Sequence, residues 1–173
     1  AACQVRLFRG NEQVSWGWVC AGCLCTPTHV RFDEWSLISG STRIKVPKKF
    51  EKTNWDDICI NRIQVNGPVS VALADLTEPK MGEGVLCRFE GKKLLVSPFS
   101  ATKKLGETPY WGYNADTHPG DCGLLVWQDS KPVGVHSRGT VSKNTNAFVG
   151  FDQEFIKCFR AFSGRGGPSV PAL

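Results

Sequence analysis

The sequence predicts an all-β fold of the sandwich or barrel kind. Three observations lead there. Its 18 glycines and 10 prolines are spread along the chain, with short apolar runs between them, the spacing of many short strands and turns. Ile58 to Val65 alternates Ile, Ile, Ile and Val with polar residues, the period of a half-buried strand. The 173 residues make one large or two small domains and bury a core without covalent staples.

The elements follow in order. Gln4 to Phe8 reads as a first strand. Trp16 to Cys20 and Cys23 to Thr26 are apolar runs joined by Ala21-Gly22, a hairpin. Ser36 to Ile38 and Thr42 to Val46 flank Gly40-Ser41, and Ile58 to Val65 is followed, past a Gly-Pro turn, by Val69 to Leu73. Thr77 to Gly84 is rich in Pro, Gly and charge and marks a boundary. The predicted units are an N-terminal barrel at 1–78, a C-terminal barrel at 79–162 and a loose tail at 163–173. In the second half, Val85 to Phe89 and Lys92 to Val96 enclose Glu90-Gly91, another hairpin. Leu124 to Trp127 and Pro132 to His136 enclose a polar turn, and Ala147 to Phe151 is a further strand. Phe155, Ile156, Phe159 and Phe162, with Lys and Arg between them, form the one helix-like pattern.

With 21 basic and 16 acidic residues the net charge is +5. This balance permits contact with nucleic acid without requiring it. No apolar run is long enough to cross a bilayer. Of the eight cysteines, Cys20, Cys23, Cys25, Cys59 and Cys87 lie in strand-like apolar segments, where a reduced thiol behaves as a small hydrophobe. That pattern suits the cytosol better than a disulfide framework. The chain starts Ala1-Ala2-Cys3 without an initiator Met, as an expression product or a piece excised from a precursor would.

Thr117 to Gly123 reads T-H-P-G-D-C-G, and fourteen residues past Cys122 stands the histidine of Gly134-Val135-His136. A cysteine between an acid and a glycine, after Pro-Gly, sits on a tight turn. Such a turn aims the amides of Gly120 and Cys122 at one point beside the sulfur, an oxyanion hole next to a nucleophile. A cysteine nucleophile needs a base, and the base an orienting partner. Of three histidines, His29 closes the first hairpin in C-L-C-T-P-T-H-V, and Asp57 opens a strand in W-D-D-I-C-I.

The order His, then Asp before an apolar strand, then G-D-C-G, then G-x-H resembles the chymotrypsin-like cysteine proteases of positive-strand RNA viruses. These include the picornaviral 3C, caliciviral and potyviral enzymes. The resemblance runs from residue 5 to about 162, with motif-level similarity at 16–30, 55–60 and 117–140. It implies two six-stranded antiparallel β-barrels, with a short C-terminal helix and the active site in the cleft between them. It implies Cys122 as nucleophile, His29 as base, Asp57 as the acid that fixes the His29 tautomer, and the amides of Gly120 and Cys122 as oxyanion hole. Asp56 is the neighbouring alternative, since a one-residue shift reverses side-chain direction in a strand. Asp33, Glu34 and Glu51 stand further out. The resemblance further implies His136 at the floor of the S1 pocket and Thr117 completing it, so that cleavage follows Gln or Glu. Arg138, close by in sequence, would favour Glu if it faced the pocket; the alternative is a side chain that points to solvent. The strand Val135 to Gly139 would pair with extended substrate backbone. The implied substrate is a viral polyprotein in the cytoplasm of the infected host cell, and no cofactor or metal is implied.

Two other signals carry rival readings of a non-catalytic module. Cys20-x-x-Cys23-x-Cys25-x-x-x-His29 has the density of a zinc ligand set. Using His29 for zinc would remove the base. The run Lys45 to Lys52, with Lys92-Lys93, Lys103-Lys104, Arg160 and Arg165, reads as a solvated face or as a contact for viral RNA. His118 is expected to be exposed.

Overall fold

The structure, a computed structural model, describes residues 3–29, 36–39, 42–47, 49–65, 69–91, 93–100, 102–140, 145–164 and 169–170. Its first sheet holds β1 (Gln4–Arg9), β2 (Glu12–Cys20), β3 (Cys23–Pro27), β4 (Ser36–Ser39), β5 (Thr42–Lys45), β6 (Lys52–Trp55) and β7 (Ile58–Val65). Its second holds β8 (Gly84–Glu90), β9 (Lys93–Phe99), β10 (Thr102–Lys104), β11 (Tyr110–Tyr113), β12 (Leu125–Gln128), β13 (Lys131–Thr140) and β14 (Thr145–Gly150). A helix α1 (Gln153–Ser163) and a two-residue strand β15 (Ser169–Val170) follow.

Neighbours in the first sheet run β15-β7-β3-β2-β1-β4-β5, with β6 also on β7. In the second they run β10-β11-β14-β13-β12-β8-β9. Every named pair is antiparallel except β15 with β7. The expected six strands per barrel become eight and seven among the described residues. The surplus comes from fragments such as the two-residue β15 and the three-residue β10.

Two-residue turns fix the register of several hairpins. Cys20 pairs with Cys23 across Ala21-Gly22, where both residues have positive φ, 49° and 80°. Trp55 pairs with Ile58 across Asp56-Asp57, with Asp56 at φ 52°. Gln128 pairs with Lys131 across Asp129-Ser130, at φ 51° and 64°. Turns of this hand match the twist of the strands they join.

The core has three parts. Val5, Leu7, Val19, Leu24 and Ile63 fill the first sheet. Leu86, Phe99, Leu124, Val126 and Phe148 fill the second. A third cluster joins them: Trp18, Cys25 and Ile60 meet Leu125, Val135 and Val149, with Phe155 and Phe159 of α1. The helix starts where Asp152 accepts a hydrogen bond from the Phe155 amide at 2.8 Å, a capping contact worth about 1 kcal/mol. Phe155 stacks on Phe151 at 5.2 Å and meets Trp55 at 5.1 Å.

The structure departs from the sequence expectation at several points. Val69 to Leu73 forms no strand: Val71 makes a single bridge to Cys20, and Leu73–Asp75 is a 3-10 turn. Val69 is exposed, and Val71 and Leu73 only pack partly buried against the core cluster. Lys52–Trp55, which begins at the last lysine of the basic run, is a strand because β7 offers it an edge. The tail was expected to be loose, yet β15 pairs with β7.

Phe155 is fully buried where the two halves meet. Phe155→Ala should therefore destabilise the protein by about 3–5 kcal/mol, read as a lowered midpoint in urea unfolding.

Candidate active site

The first sheet positions a histidine and a carboxylate. Pro27 at the end of β3 lies opposite Ile58 at the start of β7, so the residues just beyond each strand are neighbours. The Thr28 amide donates to the Asp57 carbonyl and the Thr28 hydroxyl to the Asp56 carbonyl, both at 2.9 Å. This brings His29 Nδ1 to 2.8 and 3.1 Å from the two carboxylate oxygens of Asp57. Asp56 takes the left-handed turn position and is exposed. Glu51 pairs instead with Arg62, and Asp33 and Glu34 lie outside the described residues.

The second sheet supplies the thiol. Cys122 sits on the loop leading into β12, and its carbonyl is tied to β2 of the first sheet. It accepts from the Trp16 amide at 2.9 Å and from the Ser15 hydroxyl at 2.8 Å. Gly123 has φ 94°, and a Cβ there would stand 1.9 Å from the Trp16 carbonyl oxygen, so only glycine fits. Gly120 has φ 91°. Asp121 and Gly123 donate their amides to the carbonyls of His118 and His136. Among the described residues, the amides of Gly120 and Cys122 have no acceptor within the protein.

Ser137 closes the connection between the halves. The Cys122 thiol donates to the Ser137 carbonyl at 3.3 Å, and the Ser137 hydroxyl donates to Asp57 Oδ2. A bulge in β13 between His136 and Arg138 leaves Ser137 out of the ladder and free to aim at the carboxylate. Burial pushes the Asp57 carboxyl up, but the hydrogen bonds from His29 and Ser137 outweigh it and hold its pKa below the ordinary value. The His29 imidazole is pushed up to about 10, first by Asp57 and then by its contact with Cys122, against the cost of desolvation. It is a proton-bearing ring at neutral pH.

Beside the thiol opens a cleft of about 680 Å³, lined among others by Thr117, Gly120, Cys122, His136, Gly139 and Asn146. His136 is 3% exposed and its pKa is lowered to about 4, by burial first and then by Arg88 and His29. The ring is therefore neutral. The Tyr113 hydroxyl lies 2.5 Å from its Nδ1. With Nδ1 as acceptor, Nε2 carries the proton. Asn146 donates Nδ2 to the Ala115 carbonyl at 2.5 Å, which fixes its flip. Its oxygen then accepts from the Thr117 hydroxyl at 2.8 Å.

No protein-family model matches the chain. It is 28% identical over 171 residues, covering 91% of the chain, to a stretch of the genome polyprotein of Ryegrass mosaic virus (isolate Denmark/Danish). The chain spans about 6% of that polyprotein's length. Among solved structures it is similar to a catalytically inactive tobacco etch virus protease complexed with substrate. There the TM-score is 0.73 at 17% identity, over 96% of this chain and 86% of that one. It is also similar to the serine protease of a human pathogenic astrovirus, with a TM-score of 0.66 at 17% identity, over 88% of this chain and 91% of that one. The fold is that of the chymotrypsin-like viral proteases.

Within this chymotrypsin-like frame, His29, Asp57 and Cys122 come together, and Thr117, Gly120 and His136 line one cleft with Cys122. Arg138 stands apart. Its side chain is exposed, lies over the Tyr110 ring at 4.6 Å and is not part of the cleft lining, so the expected bias toward Glu loses its basis. Ser137, Tyr113 and Asn146 were missed. The first two had a usable signal, a hydroxyl next to the pocket histidine and a tyrosine at the end of an apolar strand. His118 is exposed. The thiols of Cys20, Cys23 and Cys25 are pushed up by burial, which disfavours the thiolate that zinc needs. Lys45, Lys49 and Lys52 are exposed, and Lys48 lies outside the described residues.

The Ser137 bond gives a pH-dependent prediction. A depressed Asp57 pKa stabilises the fold above the unfolded carboxyl value, and that stability is lost as pH falls through the folded value. Ser137→Ala should cost about 1–3 kcal/mol at pH 7, and the gap to the parent should narrow as Asp57 protonates. Urea unfolding from neutral to acid pH measures it. A gap that stays constant would mean that Ser137 acts by packing alone.

Proposed function

We propose that the chain is a cysteine endopeptidase that processes a viral polyprotein in the host cytoplasm, cleaving after glutamine. The observation that carries the reading is the linked set of Cys122, His29, Asp57 and Ser137, assembled from two sheets beside a pocket floored by a neutral histidine. The match to an internal stretch of a genome polyprotein and the fold shared with a substrate-complexed viral protease support it.

The mechanism follows from the protonation states. His29 holds the proton that Cys122 gives up, so the reacting state is a thiolate beside an imidazolium that Asp57 keeps charged. The thiolate sulfur attacks the carbonyl carbon of the scissile peptide, and the carbonyl π electrons move to oxygen. The unused amides of Gly120 and Cys122 receive that oxyanion. As the tetrahedral intermediate collapses, the C–N bond breaks and His29 protonates the departing amine. Water, losing a proton to His29, then adds to the thioester, and the Cys122 sulfur leaves as the thiolate, which restores its pair with protonated His29.

The pocket chemistry selects glutamine. His136 Nε2–H donates to the side-chain carbonyl oxygen. The Thr117 hydroxyl has given its proton to Asn146, so it offers only a lone pair, which an amide N–H satisfies and a carboxylate repels. Gly139 leaves room for the Thr117–Asn146 pair, since a Cβ there would crowd Asn146 Oδ1 at 2.8 Å and lie 3.7 Å from the Thr117 hydroxyl. A buried donor left unpaired costs about 1–3 kcal/mol, so leucine and alanine are rejected.

Cys122→Ala should abolish cleavage in a folded protein. With a P1 peptide series, Gln should exceed Glu, and both should exceed Leu. His136→Ala should lower cleavage of the Gln peptide by about 10- to 100-fold while Cys122 still reacts with iodoacetamide. Equal rates for Gln and Leu would refute the pocket, and an active Cys122→Ala variant would refute the nucleophile.

A further inference from the structure

A buried ion pair stands directly behind the nucleophile loop. Arg88 lies within β8, which pairs with β9 and β12, and its side chain is 10% exposed. Its Nη2 reaches Asp121 Oδ2 at 2.9 Å and donates to the Asp116 carbonyl at 3.3 Å. Asp121, 7% exposed at the side chain, directly precedes Cys122. The same carboxylate oxygen accepts the His118 amide at 2.7 Å, and the Asp121 amide donates back to the His118 carbonyl at 3.1 Å. Burial raises the Asp121 carboxyl, and Arg88 with the His118 amide counters it. On balance the carboxyl stays above its ordinary value, while the two donors on one oxygen favour its ionised form.

One guanidinium nitrogen thus ties together both ends of segment 116–121. That segment carries Thr117 and Gly120 and delivers Cys122. Its left-handed Gly120 is the residue whose amide must face the oxyanion, and an added Cβ there would meet nothing within 4 Å. Packing at Gly120 therefore does not hold the turn; the hydrogen bonds between His118 and Asp121 close it, and the ion pair anchors that closed turn to β8. Among the described residues Arg88 Nε is buried without a partner. A pair present for stability alone would gain little from this, since well-packed apolar residues stabilise as well.

We propose that Arg88, through Asp121, is the positioning residue of the oxyanion hole: it holds segment 116–121 in the conformation that turns the Gly120 and Cys122 amides toward the developing charge. The inference rests on the protease reading. Its effect belongs to the transition state, so it should fall on kcat and not on KM. It should also spare reactions of the thiol that develop no oxyanion.

The test compares Arg88→Gln, Asp121→Asn and Arg88→Lys with the parent. Each is assayed for cleavage of a P1-Gln peptide and for alkylation of Cys122 by iodoacetamide. Arg88→Gln and Asp121→Asn should lose about 100-fold in kcat, with KM and alkylation rate within about threefold of the parent. Arg88→Lys, which keeps the charge, should recover part of the loss and serves as the milder variant if the others fold poorly. Unchanged kcat would overturn the proposal. So would cleavage and alkylation falling in parallel, the mark of a site that merely collapses. A parent that does not cleave counts against the protease reading alone. The clamp is then read from the Gly120 and Cys122 amide resonances, which shift in Arg88→Gln if it holds the loop and stay in place if it does not.

Discussion

The Asp57 carboxylate is the point on which the site depends. It sits on a two-residue turn of the first sheet and receives His29 from that sheet and Ser137 from the second. A carboxylate that is largely withdrawn from water must be hydrogen-bonded or it will neutralise. Here both donors are supplied, and its hydrogen bond to His29 is the largest of the effects that raise the ring to about 10, ahead of the contact with Cys122. Separating the sheets would cost Asp57 one of its donors, so the ionised site and the packed interface are one cooperative object. The shared apolar cluster of Trp18, Leu125, Val149 and Phe155 holds the two sheets at the distance this bond requires.

Around that point the backbone is held by contacts with few substitutes. The Cys122 carbonyl is fastened to β2 through Trp16 and Ser15, and Gly123 lies against Trp16 too closely for any side chain. The bulge at Ser137 lets adjacent residues of β13 face different tasks. His136 floors the pocket under Tyr113, Ser137 bonds the carboxylate, and Arg138 leaves for the Tyr110 face. A regular strand sends successive residues to opposite faces and would leave His136 and Arg138 on the same one; the bulge separates them.

Much of this was legible in the sequence. Turn residues and period-two alternation located most strands, and G-D-C-G with its spaced G-x-H located the loop and the pocket histidine. Asp57 was separable from Asp56 because it abuts the apolar strand, and the turn places Asp56 at positive φ and exposed. What was hidden depends on pairing rather than on local pattern. Lys52–Trp55 has no apolar stripe and is a strand only because β7 lies beside it. Ser137 and Arg88 look like ordinary strand residues until their partners, 80 and 33 positions away, are known. Arg138 was singled out for its closeness in sequence to His136, but a bulge lies between the two and its side chain sits over the Tyr110 ring.

The most direct test of the central claim is an NMR pH titration of the His29 ring, in the parent and in Asp57→Asn. If the Asp57 carboxylate organises the site, the parent ring stays protonated far above the ordinary histidine value, with a midpoint near 10, and Asp57→Asn brings the midpoint down toward about 6.5. A parent His29 that titrates near 6.5, unchanged by the substitution, would contradict the account.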